Sequence, residues 1–368
     1  MVTTGDLISF LETLAPLELA ASWDNVGLLL GRRDVQVERV MTCLTVTPQT
    51  ADEAIQGGAQ LVVSHHPILF RAVKRLTNAE PQEGIVLDLA RQGVAVYSPH
   101  TAFDDATGGI NDILARAIKL QDVGPLRKRS AAAQCKIVVF VPPDDLPRVS
   151  DALFAAGAGQ IGQYSQCSFR LQGTGTFFGS ESSNPTIGQK GRREEVAEWR
   201  LEVVCPADRL AEALARMRQA HSYEEPAFDV YPLQGTPSAV AGSGRIGSLS
   251  APVRLNDLAA ALKTSLHAPL VQVVGDPSAW IERVAIVCGS GGEFIGDAIS
   301  ASADAFLTGE LRFHDCLTAQ AQGLSLVLPG HYATERIGVE ELAGQLQARF
   351  PEVSIWASRR EQDPLQPA

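Results

Sequence analysis

Three short segments of this chain each place metal-binding side chains just beyond an apolar run. That recurrence constrains the fold more than any other feature. The segments are Ser64-His65-His66-Pro67, Pro99-His100-Thr101-Ala102-Phe103-Asp104 and Gly330-His331-Tyr332-Ala333-Thr334-Glu335, with His314 close to the last. Together with His314 they use five of only seven histidines in 368 residues. Imidazole and carboxylate are ligands for Zn, Mn and Fe. In α/β sheets, ligands bind beyond the carboxyl ends of strands. If these segments serve one site, strands far apart in the chain must end side by side.

The candidate ligands are His65, His66, His100, Asp104, His331 and Glu335. They exceed what one tetrahedral ion needs, so the expectation is two divalent ions per subunit, of Zn, Mn or Fe. Neighbours in a regular strand point to opposite faces. His65 and His66 can share a site only where their strand ends, and Pro67 favours that ending. His100 and Asp104 are four apart, as are His331 and Glu335, which is the spacing of one helix face. Each pair also has an ordinary reading. Asp104 could be a helix cap and His100 a surface residue. A helix starting near Thr334 would make Glu335 a helix-dipole partner. Three such sites, each after a buried strand, support one another. Paired ions activate water and stabilise a developing oxyanion, so the chemistry expected from the residues alone is metal-assisted hydrolysis.

The rest of the chain suits an α/β protein of more than one domain. Apolar residues make up 45% and aromatics 6%. The net charge of −11 argues against a dedicated nucleic-acid binder. No apolar run reaches the ~20 residues of a membrane span, and the N-terminus lacks the features of a signal peptide. The six cysteines are far apart without a CxxC and read as reduced thiols of a cytoplasmic protein.

Residues 1–126 alternate helix and strand signals. They run as helix 6–14, strand 39–46, a helix capped by Thr47-Pro48, strand 60–64, helix 81–92, strand 94–98 and helix 111–119. Such apolar strands imply parallel βα units covered on both faces. The character changes near Leu126-Arg127-Lys128-Arg129. There follow strand 136–141, helix 144–156, two strands around Arg170-Leu171-Gln172-Gly173, strand 199–204, helix 207–219 and strand 228–233. This is a βαββαβ, ferredoxin-like order. A polar, Gly-rich loop is expected at 180–193. The α/β rhythm resumes after Gly235, with strands at 245–249, 271–274, 284–288, 305–307, 325–328 and 353–356. The expectation is an α/β domain built from residues 1–126 and 236–358, interrupted by an inserted α+β domain at 127–235. The tail 359–368 is expected to be disordered.

The motif set Ser22-Trp23-Asp24-Asn25-Val26-Gly27-Leu28, Ser64-His65-His66-Pro67, His100-Thr101-Ala102-Phe103-Asp104, Thr308-Gly309-Glu310 and Gly330-His331-Tyr332-Ala333-Thr334-Glu335 resembles the Ngg-interacting-factor-like family. Its members are often labelled GTP cyclohydrolase I type 2. The resemblance spans nearly the whole chain. It implies a dinuclear metal site on His65, His66, His100, Asp104, His331 and Glu335, and a toroidal homo-hexamer whose sites face an internal cavity. The run His221-Ser222-Tyr223-Glu224-Glu225-Pro226-Ala227 looks like the PII/CutA-like insert of its longer members. The label implies a small-molecule substrate, a nucleotide, with water attacking C8 of guanine and Glu335 or His314 relaying protons. Many members carry two histidines near His314, and here Phe313 takes the first place. Alternatives from other classes are a metal-dependent phosphoesterase or amidohydrolase, and a non-enzymatic metal-binding regulator.

Weaker candidates remain. His221 reads as structural more readily than as a ligand. The amides of Gly289-Ser290-Gly291-Gly292-Glu293 could hold a phosphate or simply form a turn. Trp23 could stack on a base or sit in the core. Arg245 and Arg312 could hold phosphate, though nothing in the spacing singles them out.

Overall fold

The computed structural model describes residues 1–129, 134–234 and 242–367. The chain divides into two compact units, Met1–Arg129 with Ala239–Ala368, and Ser130–Ser238. The boundary expected at 235/236 lies outside the described residues.

The first unit opens with α1 (Thr4–Leu14), whose start is fixed by a capping box between Thr3 and Asp6. Then come β1 (Gly27–Leu30), β2 (Arg39–Cys43) and α2 (Pro48–Gln56). Thr47 caps α2 and Pro48 takes its first position, where no amide donor is needed. β3 (Leu61–Ser64), α3 (Pro81–Arg91), β4 (Ala95–Ser98), α4 (His100–Asp105), α5 (Ile110–Ala117), β5 (Gln121–Gly124) and β6 (Arg127–Lys128) complete this half.

The other unit holds β7 (Gln134–Val141), α6 (Leu146–Ala155), β8 (Phe169–Phe178), β9 (Arg193–Pro206), α7 (Leu210–Ala220) and β10 (Phe228–Leu233). Its sheet has the order β10-β7-β9-β8, antiparallel throughout. Where two strands were expected around Arg170–Gly173 there is one, β8, paired along its whole length with the long β9. Its glycines weaken strand propensity without ending the strand, because the ladder to β9 continues through them. Ile137, Val139, Leu153, Leu201, Val203 and Met217 form the core between sheet and helices.

The chain re-enters the first unit through β11 (Gly242–Ser243), which pairs with β6. Arg127 and Lys128, where the change of character was read, therefore belong to the first unit. There follow β12 (Arg245–Arg254), α8 (Leu255–Ser265), β13 (Gln272–Val274), β14 (Trp280–Ser290), α9 (Ile295–Ser300), β15 (Ala305–Glu310), α10 (Phe313–Ala321), β16 (Ser325–Leu328), α11 (His331–Arg349) and β17 (Ser354–Ala357).

Two sheets organise this unit. One has the order β1-β4-β3-β2-β17, and the other β13-β16-β15-β14-β12-β5. β4, β3, β2 and β17 run parallel, as do β14, β15 and β16. β1, β13, β12 and β5 pair antiparallel with their neighbours, so the parallel expectation holds for β2, β3, β4 and β17 and for β14, β15 and β16 alone. β17 closes the sheet built from the first hundred residues, which ties the chain's end to its beginning. Helix α11 packs against β2 and β17 of one sheet and against β14 and β15 of the other. Leu7, Leu61, Tyr97, Leu114, Leu307 and Leu346 belong to an apolar core that draws on both sheets, and Met41, Val62 and Val96, and Ala285, Phe306 and Leu326, belong to two further clusters. The parallel strands β3 and β4 thus end beside the start of α11. No helix among the described residues is long and apolar enough to cross a membrane.

The tail differs from expectation. Glu53 accepts hydrogen bonds from the amides of Arg359 (3.0 Å) and Arg360 (3.0 Å) and from the Ser358 hydroxyl (2.6 Å). The nearly buried Glu361 carboxylate accepts from the amides of Leu44 (2.8 Å) and Thr45 (2.7 Å) and from the Arg336 guanidinium (2.7 Å). Composition alone hides this, because the partners of these residues lie more than 300 positions earlier, at Glu53, Leu44 and Thr45.

Candidate metal centre

Each ligand segment is positioned by the end of a strand. β3 continues its pairing past Ser64, with the His65 amide donating to Cys43 (2.9 Å) and the His66 amide to Leu44 (2.8 Å). Pro67 then ends the ladder. After β4, His100 starts α4 with a φ of 29°, a conformation that non-glycine residues rarely adopt. One turn of α4 brings Asp104 onto the same face. Helix α11 opens at His331, not near Thr334, because Gly330 has a φ of 105°. Glu335 consequently lies in the second turn, and the helix-dipole account of it fails.

The six candidate ligands converge. Glu335 Oε2 lies 3.0 Å from both His66 Nε2 and His331 Nε2. Glu335 Oε1 is 4.0 Å from His65 Nε2, which is 3.5 Å from Asp104 Oδ1. The ring of His100 is 5.3 Å from that of His65 and 5.5 Å from that of His66, centroid to centroid. Two sets, His65-His66-His100 and His66-His331-Glu335, each bring three ligand atoms within 4.8 Å of one another. Both sets contain His66.

The site fits a cation on an independent observation. His65 is 3% exposed, yet both its ring nitrogens lack a hydrogen-bond partner, as does Nε2 of His331. Buried polar atoms are normally satisfied. Imidazole lone pairs aimed at a common point, with carboxylates opposite, are satisfied by a metal ion. Electrostatics agree. Burial pushes the His65 imidazole well below its ordinary range, so the ring is neutral and one of its nitrogens offers a lone pair. Burial would raise Glu335, but His331 and His66 outweigh it and hold the carboxyl far below its usual range. Burial and the neighbouring Glu335 push Asp104 up. Glu335 raises His331 to about 9, so without metal a proton stands where a cation would bind.

The outer contacts orient the ligands. His100 Nδ1–H donates to Asp24 Oδ1 (2.8 Å), which turns Nε2 away from Asp24. Burial opposes ionisation of Asp24, but hydrogen bonds from His100 and Thr101 bring it down to about 2. His331 Nδ1–H donates to Glu310 Oε1 (3.1 Å). Thr45 Oγ1 is 2.8 Å from His66 Nδ1. A hydroxyl both donates and accepts, so Thr45 suits either tautomer of His66. The Cys288 thiol donates to Asp104 Oδ1 (3.1 Å); burial and Asp104 keep it protonated. Asp24 and Glu310 sit inside motifs singled out in the sequence, but nothing in their spacing reveals which imidazole they hold. Thr45 and Cys288 carry no sequence signal.

The glycines around the site make room for it. A Cβ on Gly289, whose φ is 61°, would lie 2.2 Å from Glu335 Oε1. The Gly289 amide donates to Thr334 Oγ1 (3.1 Å) and that of Gly291 to Thr308 Oγ1 (3.0 Å). Those two amides are engaged within the fold, which fits the turn reading of this loop. Arg245 is buried and bound to Asp112 (2.5 Å) and to backbone carbonyls, including those of Gly244 and Ala106, which gives it a structural role. Arg312 precedes α10 and is exposed. His221 is structural as well: Nδ1 accepts from the Tyr223 amide (3.0 Å), and Nε2 lies 3.0 Å from the Phe140 carbonyl. His314 is exposed in the first turn of α10, with its ring 5.6 Å from that of Phe313. It makes no ion pair or hydrogen bond to the cluster among the described residues. Trp23 is 62% exposed, with ring centroids 5.9 Å from Phe70 and 6.2 Å from His100. It is a rim residue, not a core aromatic.

The chain is similar to known proteins over nearly its whole length. The chain is 36% identical to a Halalkalibacterium halodurans protein named GTP cyclohydrolase 1 type 2 homolog, over 98% of this chain and 97% of that one. It superposes on a Bacillus cereus protein related to NIF3 with a TM-score of 0.68 at 35% identity, covering 100% of this chain and 99% of that chain. A Staphylococcus aureus protein gives a TM-score of 0.75 at 29% identity, covering 100% of this chain and 99% of that chain. The family model described as Duf34/NIF3 (NGG1p interacting factor 3) matches residues 2–364, and the chain belongs to that family.

Proposed function

We propose that this protein is a metal-dependent hydrolase acting on a nucleotide, with two divalent ions (Zn, Mn or Fe) held by His65, His66, His100, Asp104, His331 and Glu335. The observation that carries the reading is the pair of ligand sets that share His66, grouped around buried imidazole nitrogens without partners. A bound ion pair supplies Lewis acidity toward water and stabilises developing negative charge. The protein's own contribution starts with Glu335. Its ionised carboxylate lies within 3.0 Å of two imidazoles and keeps a negative charge beside the water that attacks. His331 is held in orientation by Glu310. His314 serves as a more distant relay on the exposed side of α10.

The rim supports a nucleotide as substrate. Trp23 and Phe70 offer exposed aromatic faces beside His100. Arg71, Lys74 and Arg75 follow directly, are exposed, and have no ion pair among the described residues. Aromatic faces stack on a base and free cations hold phosphate. The relatives' name points to GTP, with water attacking C8 of guanine. The experiment is incubation of Zn-, Mn- or Fe-loaded protein with GTP, followed by assay of formate. Formate release that depends on metal supports the reading, and its absence with all three metals sinks it. A parallel screen of phosphodiester and amide substrates identifies a hydrolase of another specificity.

We further propose that the subunits form a cytoplasmic homo-hexamer, and that residues 134–234 are a ferredoxin-like, PII/CutA-like insert. The βαββαβ element order and the strand order β10-β7-β9-β8 support the latter. Light scattering on the purified chain tests the hexamer.

A further inference from the structure

The four imidazoles of the centre are not held alike. His66 Nδ1 meets the Thr45 hydroxyl, His100 Nδ1 the Asp24 carboxylate and His331 Nδ1 the Glu310 carboxylate. His65 is the buried one of the four, and its Nδ1 has no hydrogen-bond partner among the described residues. A ligating imidazole almost always donates its other N–H to a carboxylate, a carbonyl or a water. The His65 nitrogen that faces the centre is Nε2, 3.5 Å from Asp104 Oδ1 and 4.0 Å from Glu335 Oε1. In a neutral ring that lends the Nε2 lone pair to a cation, the proton sits on Nδ1.

A cavity of about 10 Å³ borders this ring. None of the other five candidate ligands lines it, so it lies on the side of His65 turned away from the centre. Strand alternation agrees. Leu61, Val63 and His65 share one face of β3 and its extension. Leu61 and Val63 belong to the same core as Phe103, Ile110 and Leu342. Val63, Phe103, Ile110 and Leu342 wall the cavity. Cys43 also borders it, but its side chain packs on the opposite face of the sheet. Thr42 brings the second polar side chain. It is fully buried, and its hydroxyl donates to the Val339 carbonyl (3.1 Å). With its proton engaged there, Oγ1 can only accept.

These two groups define the occupant. It must accept from Nδ1–H and donate to Oγ1. A cation cannot accept, and an anion between apolar walls is costly. A water does both. The volume matches the ~10–15 Å³ that one water needs, and two polar partners are enough to hold it.

We propose that a single buried water fills this cavity, accepts the Nδ1–H of His65 and donates to Thr42 Oγ1. Thr42 is thereby a positioning residue, which fixes the tautomer and orientation of His65 through the water. The water site stands on this geometry, and its effect on metal affinity rests on the metal-dependent reading above.

The test pairs a crystal structure of the full chain with substitutions at Thr42. A density peak within hydrogen-bonding distance of both His65 Nδ1 and Thr42 Oγ1 is expected, with or without metal. Thr42→Val keeps the shape of the side chain and removes the hydroxyl. It is expected to lose the peak and to weaken Zn binding about tenfold or more, in competition with a chromophoric chelator. It is also expected to change the visible spectrum of the Co(II)-loaded chain, which a merely structural threonine would not do. Thr42→Ser restores the hydroxyl and is expected to return the peak, the parent spectrum and the parent Zn affinity. Should Thr42→Val fail to fold, Val63→Ile takes its place. It adds a methylene to the cavity wall and is expected to expel the water with the same loss of affinity. The proposal is overturned if the parent structure shows no such peak. It is equally overturned if a folded Thr42→Val chain, or Val63→Ile in its stead, keeps the parent's Zn affinity and Co(II) spectrum. A parent that binds no metal would remove the metal-dependent reading, and the density peak alone would then decide the water site.

Discussion

His66 and Glu335 are 269 positions apart in the chain, and their side chains meet at 3.0 Å. The contact joins the end of a strand in one sheet to a helix packed against both, and every candidate ligand lies around it. Removal of either partner should empty the centre. His66→Ala and Glu335→Ala are expected to lose most of the metal carried by the parent, measured by elemental analysis after dialysis. The parent is expected to hold two equivalents. Metal content unchanged in both variants would show that the ions sit elsewhere.

Asp24 touches none of the other carboxylates, yet it fixes the tautomer of His100 through a 2.8 Å hydrogen bond. An Asn in its place can present its amide nitrogen to the ring and turn it. Asp24→Asn is expected to weaken metal binding about 10–100-fold, the usual scale for such supporting contacts. Competition with a chromophoric chelator measures this, and an unchanged affinity would remove Asp24 from the design.

Glu361 reaches the centre through one intermediary. It binds the Thr45 amide, and Thr45 in turn contacts His66. Glu361→Ala leaves the Leu44 and Thr45 amides without their acceptor and removes one of the partners of Arg336. The expected cost is about 1–3 kcal/mol of stability, from donors left unpaired. Metal affinity should fall with it. Denaturant melts of the metal-free and metal-loaded forms separate the two effects, and parent-like melts would show that the tail is not anchored in solution.

The proton on His331 makes the metal-free protein sensitive to pH. Its folded value, about 9, stands above the ordinary 6.5. The folded state therefore binds this proton more tightly than the unfolded state does. The stabilisation is complete below about 6.5 and is lost as pH rises through about 9. For a partly exposed pair it amounts to roughly 1 kcal/mol. Thermal melts of chelator-stripped protein from pH 6 to 10 should show this decline, and His331→Ala should flatten it. Over the same interval metal binding should strengthen, because the ion competes with that proton. A metal-free protein whose melting temperature rises from pH 7 to 9 would contradict the assignment.

Much of this protein is legible in its sequence. The strands that carry the ligands announce themselves as apolar runs, and Pro67 and Gly330 mark where they stop. The His-x3-carboxylate spacings of His100 with Asp104 and of His331 with Glu335 are local, so helical geometry alone puts each pair on one face. Thr47-Pro48 and the capping box at Thr3 work for the same reason, since their partners lie within one turn. What the tertiary structure decided is every relationship that spans the chain. No local pattern shows that Asp24 holds His100, that Glu310 holds His331, or that Glu361 steadies Thr45 beneath His66. Nor does any reveal that Arg245 is spent on Asp112. Periodicity records which way a side chain points relative to its own backbone. Only packing determines what it meets there.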